Sequence, residues 1–218
     1  MVPMKRYHTL RRIYDELDFL AREFCDIAVK YKIGKSSEGR DIICLKITED
    51  AQKKRKLLKP QVKLTANMHG DEMVGRELLL SLARALCEQY GYDPDITKLL
   101  RTVEIHLVPS LNPDGSVMRS RKNANNIDLN RNFPDWGNLG EEIFIENYEP
   151  EVAAVMRWMR KNSFVLSLDL HDGWSGVTFP WDDSPGCSSC CNAVCSEDTT
   201  FYQLALTYVL NHAFMHTG

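Results

Sequence analysis

Nowhere in this chain of 218 residues does an apolar run approach the roughly 18 that a membrane-spanning helix needs. The opening residues, Met-Val-Pro-Met-Lys-Arg-Tyr-His, hold no apolar stretch of the kind a secretory leader carries, so no leader is expected within this sequence. The glycosylation motif N-x-[ST] is missing. An excess of positive charge is missing too: 27 Lys+Arg stand against 30 Asp+Glu, a net of −3, which gives no reason to expect nucleic acid or an anionic membrane as partner. There are no internal repeats or low-complexity tracts. With 44% hydrophobic and 26% charged residues, composition excludes disorder, collagen and coiled coil. What is left is a globular chain with ample apolar material for a core.

The seven cysteines are an odd number, so at least one has no partner within the chain. Cys25, Cys44 and Cys87 stand in apolar stretches and read as small buried hydrophobes. Cys187, Cys190, Cys191 and Cys195 crowd into one Ser/Gly/Asp-rich loop. A disulfide-stabilised or variable loop is favoured there over a metal site, because a zinc ribbon would need a second, distant pair.

Residues 9–25 carry Leu10, Ile13, Tyr14, Leu17, Leu20 and Phe24 at helical spacing. Short β-rich runs follow at 27–33, 41–48 and 62–68, the first two joined by a turn rich in Gly and Ser that suggests a hairpin. Helices are expected at 73–90 and 95–100, a strand at 103–109, a helix at 149–161, a strand at 164–170 and a last helix at 199–212. Strands alternating with helices argue for an α/β fold built on a mixed, mostly parallel, twisted sheet. Between them, 110–148 reads as one long Asn/Gly/Asp-rich loop, a length that compact domains usually reserve for function.

In α/β folds, ligand sites gather at the carboxyl ends of strands. Three strand ends here deliver chemistry. The run 62–68 leads into His69-Gly70-Asp71-Glu72, the run 103–109 into Asn112-Pro113-Asp114-Gly115, and the run 164–170 into His171-Asp172-Gly173. His69, Glu72 and His171 form a His₂Glu set, one of the ligand sets of catalytic zinc, which leaves a coordination position open. By itself the His-x-x-Glu spacing carries little, since any His near a Glu produces it; its place at a strand–helix junction, with a second His at another strand end, gives it weight. The long loop adds Arg121 and the segment Asn130-Arg131-Asn132-Phe133. A guanidinium binds a carboxylate through two parallel hydrogen bonds and a neighbouring amide adds a third, so Asn130 and Arg131 could clamp an anionic substrate end. A surface loop held by Asn turns and Arg–Asp pairs fits the same residues.

Taken together, the stretches GKSSEGRDI, NMHGDEMVGRELLL, IHLVPSLNPDG, NNIDLNRNFPD, EPEVAAVMRWM and FVLSLDLHDGWSGVTFPWDD resemble, in order, the zinc metallocarboxypeptidases, and most of all their regulatory branch of carboxypeptidases N, E, M and D. The resemblance covers nearly the whole chain. It implies a metallocarboxypeptidase-like sheet with helices on both faces and one zinc ion held by His69, Glu72 and His171. It implies that Asn130 and Arg131 grip the C-terminal carboxylate of a peptide or protein and that Arg121 polarises the scissile carbonyl. Asp182, in Phe179-Pro180-Trp181-Asp182, falls where the branch places the acid of its specificity pocket, which implies release of C-terminal Lys or Arg. An extracellular or secretory setting is implied as well.

The chain departs from the branch in three places, one of them the cysteine loop at 187–195. His171-Asp172-Gly173 stands where His-Gly-Gly is usual. The glutamate that serves the family as general base, and a tyrosine that caps substrate, have no matching motif; after His171 the only glutamate is Glu197. The expectation is therefore a single catalytic domain over 1–218 that stops before its general base, binding zinc and turning over poorly. The alternative is a zinc-dependent binder of peptide C-termini. A trimmer of acidic tails is disfavoured, because Asp182 would repel a Glu side chain.

Overall fold

The computed structural model describes residues 7–53, 58–134, 143–181 and 194–215. The chain divides into two compact units, one of 1–134 with 140–172 and one of 135–139 with 173–218.

In the first unit, Thr9 caps helix α1 (Leu10–Glu23), whose stripe of Ile13, Leu17 and Leu20 is buried. Strands β1 (Ala28–Lys35) and β2 (Asp41–Ile47) pair antiparallel as the expected hairpin. Strand β3 (Gln61–Ala66), helices α2 (Val74–Gln89) and α3 (Pro94–Thr102), and strand β4 (Glu104–Val108) come next. Helix α4 (Pro113–Met118) precedes helix α5 (Pro150–Lys161) and strand β5 (Phe164–Leu170). The sheet runs β1-β2-β4-β3-β5. β2 and β4 pair antiparallel, while β3 runs parallel to both β4 and β5. The α/β sheet with helices on both faces is thus present, and it is mixed.

Period-two alternation splits each strand between two cores. Ile43, Leu45, Ile47, Ile105, Leu107 and Ala66 cluster with Leu17 and Leu20 of α1, Leu79 and Ala83 of α2 and Leu100 of α3. Ile42, Cys44 and Val108 cluster with Val152, Val155 and Trp158 of α5. Because β3 lies between β4 and β5, its C-terminal end emerges beside both of theirs, with Thr65 opposite Val108 and Ala66 opposite Leu170.

Three expectations need correction. The 110–148 segment is not one loop: Asn112 accepts the Gly115 N–H and Pro113 occupies the first turn, which starts α4, and short 3-10 turns form at Leu129–Arg131 and Ile145–Asn147. The strand expected at 62–68 ends at Ala66, since Asn67 adopts the left-handed conformation (φ 61°). Cys25 is exposed, not buried: it follows the C-cap of α1, where the adjacent Phe24 packs against the core instead. Cys44 and Cys87 are buried as expected.

The second unit contributes helix α6 (Asp198–Leu210), with Phe179 and Phe201 stacked at a centroid distance of 6.3 Å. Cys195 is buried and free, while Cys187, Cys190 and Cys191 lie outside the described residues. Among the described residues, no helix is long and apolar enough to cross a membrane.

Candidate metal centre

The turn that follows β3 is shaped by one buried amide. Asn67 Nδ2 donates to the carbonyls of His69 (2.9 Å), Gly70 (3.1 Å) and Glu72 (2.9 Å), and its Oδ1 accepts from Ser110 Oγ (2.9 Å). Wrapped around that amide, the backbone brings His69 and Glu72 to the same side before α2 begins. Gly70 passes so close to α4 that an added Cβ would lie 2.1 Å from the Gly115 carbonyl carbon. Its N–H donates to the Arg121 carbonyl (3.3 Å), which brings the Arg121 loop to the site.

His171 arrives from the end of β5. Its Nδ1 lies 3.2 Å from His69 Nδ1 and 2.8 Å from Glu72 Oε2, and His69 Nδ1 lies 2.8 Å from Glu72 Oε1. One ligand atom from each of these three residues falls within 4.8 Å of the others. The remaining imidazole nitrogens face carboxylates: His69 Nε2 is 3.1 Å from Asp128 Oδ1, and His171 Nε2 is 3.0 Å from Asp169 Oδ2. Arg121 Nη1 sits 3.2 Å from His69 Nδ1. A guanidinium only donates, so His69 Nδ1 is the acceptor and its proton is on Nε2, facing Asp128.

Nitrogen lone pairs and a carboxylate that converge in this way repel one another unless something positive stands between them. Two nitrogens held at about 2.0–2.1 Å from a tetrahedral zinc would be roughly 3.3–3.4 Å apart; the observed 3.2 Å is close to that. The donor set and its spacing therefore fit a single zinc. The hydrogen bond to Asp169, reinforced by Glu72, pushes the His171 pKa up to about 9 against the desolvation that would lower it. At neutral pH a proton on His171 can stand where the cation would, and a metal must displace it. Burial falls from the His69 side chain (3% exposed) through Glu72 (14%) to His171 (35%) and Arg121 (46%), so the cluster is rooted in the core and open on one side.

Of the residues singled out in the sequence, the structure gathers His69, Glu72, His171 and Arg121 directly. Asn130 joins through its backbone, its N–H donating to the same Asp128 oxygen that faces His69 (3.0 Å). Arg131 is exposed in the same 3-10 turn, its Nη1 bonded to the Asn130 carbonyl (3.2 Å). Asp182 lies outside the described residues. Sequence reasoning missed Asn67, Asp128 and Asp169. Asp169 had a signal, since a carboxylate two residues before a histidine on a strand shares its face; Asp128, two residues before Asn130, had a weaker one.

A family model described as zinc carboxypeptidase matches residues 13–218. Mouse (Mus musculus) carboxypeptidase D is 40% identical over 212 residues, covering 91% of this chain and 15% of that protein. Mouse carboxypeptidase M is 37% identical over 227 residues, covering 98% of this chain and 49% of that protein. The chain thus spans about half the length of carboxypeptidase M and far less of carboxypeptidase D. A crystal structure of thrombin-activatable fibrinolysis inhibitor shares the fold, with a TM-score of 0.80 at 23% identity, over 94% of this chain and 55% of that one.

Proposed function

Because the chain belongs to the zinc carboxypeptidase family, we propose that it forms a zinc carboxypeptidase catalytic domain that removes C-terminal Lys or Arg from peptides or proteins. The observation that carries this reading is the convergence of His69, Glu72 and His171 with the Arg121 guanidinium alongside. In this reading those three side chains hold the metal, whose Lewis acidity activates water and polarises a carbonyl near neutral pH.

The chain's own groups supply orientation and charge. Asn130 and Arg131 bind the terminal carboxylate, so that cleavage falls one residue in from the end; such positioning contributes up to about 7–11 kcal/mol in ideal cases. Arg121, bonded through Nε to Asp128 Oδ2 (3.0 Å), stands ready where negative charge develops on the attacked carbonyl. Loss of one donor at such a place reduces rate roughly 10²–10³-fold. Asp182 is assigned the basic side chain of the substrate, on the strength of the resemblance and of charge complementarity. The same resemblance supports a secretory setting.

The test offers peptides ending in Arg, Leu and Glu to the zinc-loaded protein. Preferential binding at Arg with slow release, lost in Arg131→Ala and shifted away from basic ends in Asp182→Asn, is the expected result. Indifference to the last residue would remove the basic specificity. Tight binding of Arg-ending peptides without release would replace hydrolysis with recognition.

A further inference from the structure

The two imidazoles of the metal centre are backed by carboxylates in different surroundings. Asp128 is shared: one oxygen meets His69 Nε2 and the Asn130 N–H, and the other meets Arg121 Nε. Asp169 is dedicated. Its Oδ2 meets His171 Nε2 at 3.0 Å and its Oδ1 accepts the Thr65 Oγ1 hydroxyl at 2.8 Å, with Lys63, on the same strand as Thr65, adding a charge interaction. Thr65 is 2% exposed on β3 and stands opposite Asp169 in the parallel register, so a buried side chain of the neighbouring strand holds this carboxylate in place. Asp169 and His171 are two residues apart at the end of β5, on one face, and the carboxylate reaches only the outer nitrogen.

We propose that Asp169, braced by Thr65, is a positioning residue that, once a metal has displaced the Nδ1 proton, keeps the remaining His171 proton on Nε2 and the Nδ1 lone pair turned toward Glu72 and His69, the arrangement a zinc ion requires. The proposal rests on the metal-centre reading above. A neutral imidazole can carry its proton on either nitrogen, and an anionic acceptor at one of them selects the tautomer and fixes the ring plane. Without that acceptor the ring is free to rotate, and both orientation and tautomer must be set each time a metal binds. Carboxylates that orient metal-bound histidines typically contribute 10–100-fold to metal affinity.

The zinc dissociation constant, measured at neutral pH by competition with a chromophoric chelator, tests the proposal. Asp169→Ala should weaken zinc roughly 10–100-fold. Asp169→Asn, which keeps an acceptor oxygen in the same place, should fall between Asp169→Ala and the unaltered chain. In zinc-loaded protein labelled at its imidazole nitrogens, the His171 Nε2–H should be a slowly exchanging resonance, lost in Asp169→Ala and retained in Asp169→Asn. A merely structural role for Asp169 would lower stability without changing that resonance. Zinc affinity within twofold of the unaltered chain for both variants, with the resonance intact, would overturn the proposal. Should Asp169→Ala fail to fold, the isosteric Asp169→Asn decides alone, by a loss or by none. His69→Ala separates the two levels: if it binds zinc normally, the metal-centre reading has failed; if it loses zinc while the Asp169 variants keep it, only the positioning role has failed.

Discussion

The two faces of the sheet are built on different principles. The face toward α1, α2 and α3 is aliphatic: Ile43, Leu45, Ile47, Leu64, Ala66, Ile105 and Leu107 meet leucines, isoleucines and alanines. Dispersion and burial hold it together, at roughly 25 cal/mol for each Å² of apolar surface removed from water. The face toward α5 carries a polar chain through its core. Trp158 Nε1–H donates to the Tyr31 hydroxyl (2.7 Å), which lies 2.7 Å from His106 Nδ1; His106 Nε2 lies 2.9 Å from Glu104 Oε1, which also accepts from Gln61 Nε2 (2.5 Å). An indole only donates, so the Tyr31 proton is free for His106 Nδ1 or the Cys44 sulfur beside it, and a His106 that accepts it gives its Nε2–H to Glu104. Burial would raise the Glu104 pKa, but hydrogen bonds from His106 and Gln61 outweigh it and hold the carboxyl at about 2. On the same face, Thr65 and Asp169 lie closer to the strand ends, where His171 emerges. The aliphatic face can be repacked by any shape of similar volume, whereas the polar face works only with each partner in place. The comparison teaches that the zinc-facing groups depend on the polar face, while the aliphatic face gives stability alone and the polar face adds a smaller, pH-dependent share.

Three substitutions press on that separation. His171→Ala, at the end of the polar face, should weaken zinc roughly 10³-fold, about a third of the free energy of a tightly held zinc. The unfolding midpoint of the metal-free protein should fall only modestly at neutral pH, because the partly exposed ring gives up its contacts with Asp169 and Glu72, and the difference should vanish as pH rises through about 9, where His171 loses its proton. A matching loss of metal-free stability would break the comparison. Leu107→Ala, fully buried on the aliphatic face, should lose about 2–5 kcal/mol in denaturant titration and leave zinc affinity unchanged. A loss below about 1 kcal/mol would show that this face relaxes around the cavity. Glu104→Gln should remove a smaller amount, about 1–3 kcal/mol, and only above a certain pH. The folded-state pKa lies below the unfolded value of 4.5, so the contribution of Glu104 is complete above that value and disappears as pH falls toward 2. Denaturant midpoints of the two proteins should therefore differ near neutrality and converge on acidification. A gap constant with pH would mean that Glu104 is not ionised in the fold.

Much of the aliphatic face was legible in the sequence. The β-rich run of 41–48 and the stripe of 9–25 recover β2 and α1 within two residues at each end, because a short apolar run and a 3.6-residue pattern survive without knowledge of neighbours. The metal set was legible for a different reason: His69, Glu72 and His171 are rare chemistry at strand ends. The supporting groups were not. Asp169 finds Thr65 only because β5 pairs with β3, and nothing local in either strand specifies that pairing. His106 and Glu104 look like a half-exposed strand until α5 covers them. Helix α4 was hidden in an Asn/Gly-rich stretch, although Asn112-Pro113 is a helix start by capping chemistry. Asn67 gave no sign that its amide would organise three carbonyls.

X-ray absorption at the zinc edge of the protein loaded with one equivalent of zinc bears most directly on the central claim. The account predicts a first shell of nitrogen and oxygen only, with two imidazoles and one carboxylate, that disappears in His69→Ala. Sulfur in that shell would move the metal to the cysteines, and an unchanged spectrum in His69→Ala would contradict the site altogether.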